Sequence, residues 1–391
     1  MPASGPSVAC DSRRATGGRR DTPIARRPRV PDPPDRCWGP NPIASHPPTA
    51  TVTDTNREWL LAERPTGEPD QDSFELRETD VPAPDPGELL VRVRFLSVDP
   101  YMRGRMRDAE SYAEPWDVGD ALKGGVVGEV VESESDAFDA GDLVTGEGRW
   151  ADYAALDAAD VAPVDPSVAD PEAYLGVLGM PGRTAYFGLL EVGEPKPGDT
   201  VVVSGAAGAV GSVVGQVAKR NGCRVVGFAG SDEKTAWLTD DLGFDAAINY
   251  ETTDDYRAAL DEAAPDGVDV YFDNVGGPIT DAVFTRLNLD ARVAVCGQIA
   301  HYNDESVPTG PRKLPQIIPV RAKVEGLLVG DFATRFGEAS ERLATWVASG
   351  DLEHRETVVE GLENAPDAFL GLFSGDNIGK QVVRVSGPDE T

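Results

Sequence analysis

The chain has 391 residues, a hydrophobic content of 40% and a formal net charge of −31 at pH 7. Its length exceeds what one hydrophobic core usually supports, so two domains are expected. The negative charge argues against nucleic acid and anionic membrane surfaces as partners, because binding either one needs a positive face. No apolar run approaches the roughly 20 residues that a membrane-spanning helix needs.

Residues 1–50 differ in composition from the rest of the chain. They contain eight arginines, four aspartates, eleven prolines and no lysine or glutamate, so their net charge is 8 − 4 = +4. Such a segment buries too little apolar area to offset the entropy of ordering it. We therefore expect residues 1–55 to be a disordered tail, and we hypothesise that translation of the native protein starts downstream of Met1.

The other residues carry a net charge of −35, since −31 minus +4 is −35. That charge exceeds what solubility requires, and its self-repulsion weakens a fold in dilute buffer. Molar salt screens the repulsion, so we expect a halophilic protein in a salt-rich cytoplasm. The four cysteines lack CxxC spacing, which indicates a reducing compartment and predicts neither a disulfide framework nor a structural zinc site.

Residues 56–177 are predicted to form a mainly β domain. Residues 88–98 alternate between apolar and polar and predict one strand. Residues 122–133 are rich in glycine and β-branched residues and predict a second strand. Residues 142–156 predict two further short strands around a turn.

The pattern changes near residue 178 to alternating strands and helices. Residues 200–204 form a continuous apolar run, which is typical of a strand covered on both faces. A helix is predicted at 210–221, and five more strands are predicted at 223–229, 246–249, 268–274, 291–297 and 322–329. Six strands separated by helical segments favour a doubly wound parallel sheet over residues 178–349.

The remainder of the chain, residues 350–387, is predicted to leave this sheet. A helix near 333–349 ends the parallel-sheet domain; beyond it, a strand near 355–359, a helix near 363–374 and a strand near 379–385 are expected. The last strand follows a helical segment, and we expect it to return to the first domain.

The turn after the apolar strand at 200–204 contains Gly205, Gly208 and Gly211. Glycines with this spacing at a strand-to-helix junction allow a tight turn and close approach of the backbone to a pyrophosphate. The following helix contributes free N–H groups and the positive end of its dipole. The strand, the turn, the helix and the second strand together predict a dinucleotide site.

The end of the second strand favours NADP over NAD. NAD-binding proteins place an acidic side chain there for the ribose 2′-hydroxyl, whereas this strand ends in the small residues Ala229, Gly230 and Ser231. Ser231 can donate to a 2′-phosphate, and Lys234 supplies positive charge. The alternative is an exposed Lys234 that pairs with a neighbouring acidic side chain, and Asp232 leaves NAD open.

Several stretches together resemble a known family, from about residue 56 to residue 386. They are FLSVDPYMRGRM (95–106), GSDEK (230–234), YFDNVGG (271–277), CGQIAHYN (296–303) and NIGK (377–380). The chain resembles the zinc-independent medium-chain dehydrogenase/reductases, in the alkenal/one reductase group that includes the prostaglandin, leukotriene B4 and curcumin enzymes. The resemblance implies a Rossmann domain inserted into a GroES-like catalytic domain, NADP(H) as cofactor and a homodimer.

The resemblance also implies the residues of the site. The cofactor contacts are expected to be Gly208, Ala209, Val210, Gly211, Ser231, Lys234, Tyr250, Asn274, Cys296, Gly297, Leu327, Leu328, Val329 and Asn377. No zinc is expected, because the stretch at 124–129 reads GGVVGE where zinc-dependent relatives carry GHE, and three histidines do not supply a ligand set.

The implied reaction is NADPH-dependent reduction of the C=C bond of an α,β-unsaturated ketone or aldehyde. Tyr302 is the expected catalytic donor to the developing enolate, although the cofactor's ribose hydroxyl is an alternative. Tyr101 and Arg103 are expected in the substrate pocket, with packing roles as alternatives. Two other functions stay open from the sequence: a quinone oxidoreductase and a non-catalytic NADPH-binding protein.

Overall fold

The computed structural model describes residues 55–109 and 111–385. The predicted tail lies outside these residues except for Thr55, which begins the first strand rather than ending a tail. The strands are β1 Thr55–Leu61, β2 Phe74–Asp80, β3 Glu88–Ser97, β4 Lys123–Ser133, β5 Leu143–Arg149, β6 Tyr153–Asp157, β7 Ala162–Pro163, β8 Thr200–Val203, β9 Arg224–Ala229, β10 Ala246–Asn249, β11 Val268–Asp273, β12 Leu287–Val295, β13 Lys323–Gly326, β14 Glu356–Glu360 and β15 Lys380–Arg384.

The α-helices are short and fall mainly in the second half of the described chain. They are α1 Met102–Arg105, α2 Met180–Phe187, α3 Gly211–Arg220, α4 Asp232–Ala236, α5 Tyr256–Ala263, α6 Gly277–Phe284, α7 Ile317–Val320, α8 Phe336–Ala348 and α9 Ala365–Ser374. Within the described ranges, no helix has the length and apolar character needed to cross a membrane.

Six parallel strands form the central sheet in the order β10-β9-β8-β11-β12-β13. If the six strands of this sheet are numbered 1 to 6 in chain order, their spatial order is 3-2-1-4-5-6, which is the order of a doubly wound fold. All four residues of β8 are buried, as the continuous apolar run predicted. β12 begins at Leu287, four residues before the predicted start, and its register with β11 shifts between Val268 and Val270.

Helices cover both faces of this parallel sheet. One core contains Val213, Val214 and Val217 of α3 together with buried residues of α2 and α8. The other core contains Leu260 of α5 and side chains of α6. Burial on both faces explains why the inner strands β8 and β9 are almost continuously apolar.

A second sheet contains the earlier strands and the end of the chain. Its order is β14-β15-β3-β4-β5-β7, with β6 also paired to β3. β15 lies antiparallel to β3 and pairs Val382 with Ser97. Strands β1 and β2 form a separate antiparallel pair that the sequence patterns did not predict.

Candidate functional site

The turn between β8 and α3 forms a closed backbone loop. The Gly208 N–H donates to the Gly205 carbonyl at 3.1 Å, and the Ser212 N–H donates to the Gly208 carbonyl at 3.1 Å. Gly211 starts α3, and a Cβ at this position would lie 2.4 Å from the Gly205 carbonyl oxygen. Only glycine therefore fits there, and the first turn of α3 presents its N–H groups at the carboxyl edge of the sheet.

The neighbouring loop after β11 is tied to the same edge. The Asn274 N–H donates to Ser204 Oγ at 2.9 Å, and its Nδ2 donates to the Ser204 carbonyl at 2.7 Å. These bonds join the ends of β8 and β11, between which the order of the sheet reverses. Crevices at such a reversal are where open α/β sheets bind ligands.

Lys234 is buried at the end of β9. Ser231 caps α4, and its Oγ accepts a hydrogen bond from the Lys234 N–H at 3.2 Å. Lys234 Nζ donates to the Gly375 carbonyl at 2.6 Å, and the residue is 8% exposed. Burial lowers the pKa of Lys234, while the charges of Asp376 and Glu233 oppose that shift.

The ion pairs in the described part of the chain do not include Lys234. Asp232 accepts from Asn249 Nδ2 at 2.7 Å, and Glu233 accepts from Arg355 Nη2 at 3.3 Å. The alternative of an exposed lysine paired with a neighbouring carboxylate is therefore wrong. What the structure shows is a buried cation whose only protein acceptor among the described residues is a carbonyl.

Tyr250 lies beside this cation. A Cβ added to Gly230 would lie 2.5 Å from the Tyr250 hydroxyl, so glycine is needed to let the phenol ring approach the end of β9. The Tyr250 N–H donates to the Ala229 carbonyl at 3.0 Å, and burial raises the pKa of the phenol. The Tyr250 hydroxyl and Lys234 Nζ both lie close to Gly375, at 3.9 Å and 3.5 Å from a Cβ built on that residue.

The return segment of the chain closes the other side of the glycine loop. The Gly379 N–H donates to the Ala207 carbonyl at 2.8 Å, and Asn377 Nδ2 donates to the Gly379 carbonyl at 2.8 Å. Leu327 is 7% exposed, and its N–H donates to the Val295 carbonyl at 2.9 Å. Leu328 is exposed.

Cys296 and Gly297 follow β12 on the same edge. Their N–H groups donate to the Asp273 carbonyl at 2.8 Å and 3.0 Å. Burial, with a smaller contribution from the charge of Asp273, raises the pKa of the Cys296 thiol to about 12. The thiol is therefore protonated at neutral pH and is unsuited to nucleophilic catalysis.

Tyr302 lies next to Cys296. The Gln298 N–H donates to the Tyr302 hydroxyl at 3.4 Å, and burial raises the pKa of that phenol. Arg107 Nη2 donates to the Tyr302 carbonyl at 2.6 Å and thereby fixes the backbone of the loop that contains Tyr302. A protonated phenol with its oxygen already accepting a hydrogen bond is suited to donate to a ligand oxygen.

Tyr112 joins this group, and sequence reasoning missed it. Its side chain is largely exposed, and partial desolvation together with the neighbouring titratable groups Tyr302 and Cys296 raises its pKa. Little in the sequence signals this position, because Tyr112 lies in an irregular loop 190 residues before Tyr302. Only the fold brings the two phenols together.

The two predicted pocket residues that follow β3 are Tyr101 and Arg103, and they have different surroundings in the structure. Tyr101 packs against the core of the first domain, and burial raises the pKa of its phenol. Arg103 is 1% exposed; its Nε donates to Asn303 Oδ1 at 3.1 Å and its Nη2 donates to the Gly67 carbonyl at 2.6 Å. The structure thus places Arg103 beneath two loops rather than on a pocket surface.

The described residues contain no group of three or more His, Cys, Asp or Glu side chains placed to hold a metal ion. His301 Nδ1 lies 2.9 Å from Asp304 Oδ2, and His354 Nδ1 lies 2.8 Å from Glu356 Oε1. Each described histidine is thus bound to a single carboxylate.

Two family models match the chain. Residues 57–164 match the N-terminal domain of oxidoreductase, and residues 209–345 match the zinc-binding dehydrogenase model. The first matched segment covers most of β1 to β7, and the second covers the parallel sheet from the glycine loop onward.

Named relatives match almost over their whole length. The NADPH-dependent curcumin reductase of Escherichia coli is 44% identical over 339 residues, which cover 85% of this chain and 98% of the relative. The NADP⁺-dependent 2-alkenal reductase of Nicotiana tabacum is 42% identical over 337 residues, with coverages of 85% and 98%. The solved structure of CurA from Vibrio vulnificus in complex with NADPH is 45% identical with a TM-score of 0.80, and the match covers 85% of this chain and 100% of that chain. These similarities confirm the predicted family and fold, and they agree with the predicted cofactor.

Proposed function

Because the chain belongs to the medium-chain dehydrogenase/reductase family, in the NADP-dependent alkenal/one reductase group, we propose that it reduces the C=C bond of α,β-unsaturated ketones or aldehydes with NADPH. The observation that supports the proposal is the Tyr302 hydroxyl, which lies in the loop after β12 and accepts a hydrogen bond from the Gln298 N–H at 3.4 Å. Enone reduction needs a hydrogen-bond donor where the enolate oxygen forms.

The residues of the edge fit the cofactor. The glycine loop Gly208–Gly211 and the first turn of α3 take the pyrophosphate. Ser231 and Lys234 take the 2′-phosphate, with Tyr250 against the adenosine. The residues that would hold the nicotinamide half are Asn274, Cys296, Gly297, Leu327, Leu328, Val329 and Asn377. When bound, NADPH supplies the hydride for the β-carbon of the substrate.

Tyr302 acts as the donor to the substrate carbonyl oxygen. Its hydroxyl is protonated at neutral pH because burial raises an already high pKa. A phenol in this place stabilises negative charge on the oxygen as the enolate forms, and the α-carbon then takes a proton from solvent. Tyr112 is proposed to border the space for the substrate's carbon chain.

The reaction is proposed to need no zinc. Residues 124–129 read GGVVGE on β4, where Gly124 lies against Met102 and Trp150 rather than beside other ligands. A hydrogen-bond donor then polarises the carbonyl in place of a Lewis acid. Activity that survives dialysis against a zinc chelator is the expected result.

The deciding experiment uses the purified full chain in molar KCl. We expect NADPH oxidation with 2-alkenals and enones, with a saturated carbonyl compound as the product identified by mass spectrometry. Turnover of quinones alone supports a quinone oxidoreductase instead. NADPH binding without turnover supports a non-catalytic role.

The variant Tyr302→Phe tests the donor. Loss of one donor to a developing oxyanion lowers kcat by about 10²-fold, and we expect that fall with little change in NADPH affinity. A kcat within twofold of the parent enzyme assigns the donor role to the cofactor's ribose hydroxyl.

A homodimer through β13 is proposed as the assembly. β13 is the edge strand of the parallel sheet, so one side of its backbone has no neighbouring strand in the described chain. Val324 on this strand and Leu289 on β12 are exposed, and so are Leu328 and Ile318 nearby. Unpaired edges with apolar side chains favour strand pairing with a second copy. Light scattering of the eluted protein is expected to give twice the chain mass, and Val324→Asp is expected to give a monomer.

A further inference from the structure

Asp273, the last residue of β11, is completely buried. Six donors surround its carboxylate at 2.8–3.0 Å: Ser204 Oγ, Tyr271 Oη, the Val275 and Gly276 N–H groups, Thr280 Oγ1 and Gln298 Nε2. The ion pairs between described residues do not include Asp273. A buried carboxylate without a cation needs its lone pairs filled by donors, and this set fills them.

Gln298 is the one donor of the six that belongs to the loop after β12. Its Nε2 donates to Asp273 Oδ2 at 2.8 Å and to the Gly297 carbonyl at 3.0 Å. The Asp273 backbone carbonyl also accepts from the Cys296 and Gly297 N–H groups. Asp273 therefore fixes this loop both by its side chain and by its main chain.

The same loop aims the Tyr302 hydroxyl. The Gln298 N–H donates to that hydroxyl at 3.4 Å, so the phenol oxygen acts as an acceptor there. A hydroxyl has a single hydrogen, and none of the hydrogen bonds in the described chain gives the Tyr302 hydrogen a protein acceptor. The hydrogen is left for a ligand.

We propose that Asp273 and Gln298 are positioning residues that hold the Tyr302 hydroxyl ready to donate to the substrate oxygen. This inference rests on the proposed enone reductase function. The link runs from the Asp273 carboxylate through the Gln298 amide to the Gln298 N–H and the phenol oxygen. If Gln298 is detached from Asp273, the loop rotates and the phenol loses its direction while its chemistry is unchanged.

The first test is Gln298→Ala, which leaves Asp273 its five other donors. We expect kcat with an enone to fall about tenfold, which is less than the fall of about 10²-fold expected when the donor itself is removed. The Kd for NADPH, measured by fluorescence, is expected to stay within twofold. Asp273→Asn disturbs six hydrogen bonds at once and is expected to unfold more easily, so Gln298 carries the test.

The matched control is Thr280→Val. The Thr280 hydroxyl donates to the same carboxylate oxygen at 2.8 Å, but it lies on α6 and not on the loop that ends at Tyr302. We expect this variant to keep kcat within twofold. Equal losses of kcat in both variants would show that Asp273 acts on general stability, and that result overturns the inference.

The double variant Gln298→Ala/Tyr302→Phe decides the mechanism. Residues that act as one unit have non-additive effects, so the double variant is expected to match Tyr302→Phe within twofold. Independent effects would multiply to about 10³-fold and would overturn the inference. A parent enzyme that turns over no enone overturns the proposed function instead, and a Gln298→Ala variant with full kcat beside a slow Tyr302→Phe overturns only the positioning role.

Discussion

At the scale of single residues, Lys234 shows the site most directly. Its ammonium group is buried, donates to the Gly375 carbonyl, and has a pKa that burial lowers. A buried cation without a carboxylate partner costs free energy that a bound anion offsets. In the site proposed above, a 2′-phosphate beside Ser231 would supply that anion, so the group that distinguishes NADPH from NADH would relieve the cost.

We expect Lys234→Ala to change the choice of cofactor. Charge-assisted hydrogen bonds contribute about 1.5–3 kcal/mol, which corresponds to a rise in the KM for NADPH of about 10- to 100-fold. The KM for NADH is expected to change less than about threefold, because NADH lacks the phosphate. Lys196→Ala removes an exposed lysine and is the control for net charge. An unchanged ratio of the two KM values contradicts the role.

Cys296 is expected to resist alkylation, although the proposed substrates are thiol-reactive. Its pKa of about 12 lies three units above the ordinary value of 9.0, so the thiolate is about 10³-fold scarcer at pH 8. Peptide mapping after exposure to an enal is expected to show Cys296 unmodified in the native enzyme and modified after unfolding in guanidinium chloride. Rapid modification of the native thiol at pH 8 contradicts the raised pKa.

The sequence predicted those site residues whose signal is local. The glycine spacing and the short path from the end of β9 to Lys234 can be read within about thirty residues. Asp273, Gln298 and Tyr112 carry no such signal, because their roles depend on loops that meet only when the parallel sheet forms. The burial of Arg103 was equally hidden, since Gly67 and Asn303 reach it from distant parts of the chain.

At the scale of elements, burial decided which strands the sequence revealed. The inner strands β8, β9 and β11 are covered on both faces, so their apolar runs identified them, whereas the edge strand β13 is largely exposed. β2 exposes most of its residues and alternates poorly, and its pairing with β1 was therefore missed. The start of β12 was missed because the polar residues Asn288 and Asp290 interrupt the apolar run in the first half of the strand. The mainly apolar part of β12 begins only after them.

The return strand β15 is held by an ion pair as well as by its ladder. Lys380 Nζ donates to Asp99 Oδ1 at 2.9 Å and to the Val98 carbonyl at 2.8 Å, and both charged residues are buried. Ser97 Oγ donates to the other Asp99 oxygen. The Lys380–Asp99 pair joins β15 to the residues that follow β3. The adjoining Gly379 contacts the glycine loop through the Ala207 carbonyl.

We expect Lys380→Met to destabilise the protein by about 3–5 kcal/mol, because it leaves the Asp99 charge buried without a partner. Urea unfolding at constant KCl measures the change. The control is Lys219→Met, which removes a more exposed pair with Asp245 and is expected to cost at most about 1 kcal/mol. Adding Asp99→Leu to Lys380→Met is expected to restore part of the loss, and equal stabilities of the two lysine variants contradict the assignment.

At the scale of the whole molecule, the main feature is the large negative net charge and its expected effect on stability. The formal net charge is −31, and only seven lysines are present. Arginine and lysine side chains form ion pairs on the surface, such as Arg335 with Glu191 and Lys323 with Glu325. Exposed pairs of this kind contribute little to stability, so the excess of carboxylates sets the balance, and the fold is expected to depend on screening by salt.

We expect the unfolding temperature to rise as KCl increases from 0.1 to 2 M, measured by calorimetry at pH 7. The screening length falls from about 10 Å at 0.1 M to about 3 Å at 1 M, so most of the rise is expected below 1 M. Glycine betaine at matched osmolality is the control, because it is excluded from protein surfaces but screens no charge. A rise in betaine equal to that in KCl assigns the effect to exclusion, and a fall in KCl contradicts a halophilic protein. Either result would mean that repulsion among the surface carboxylates does not control stability. Salt relieves that repulsion, whereas betaine does not.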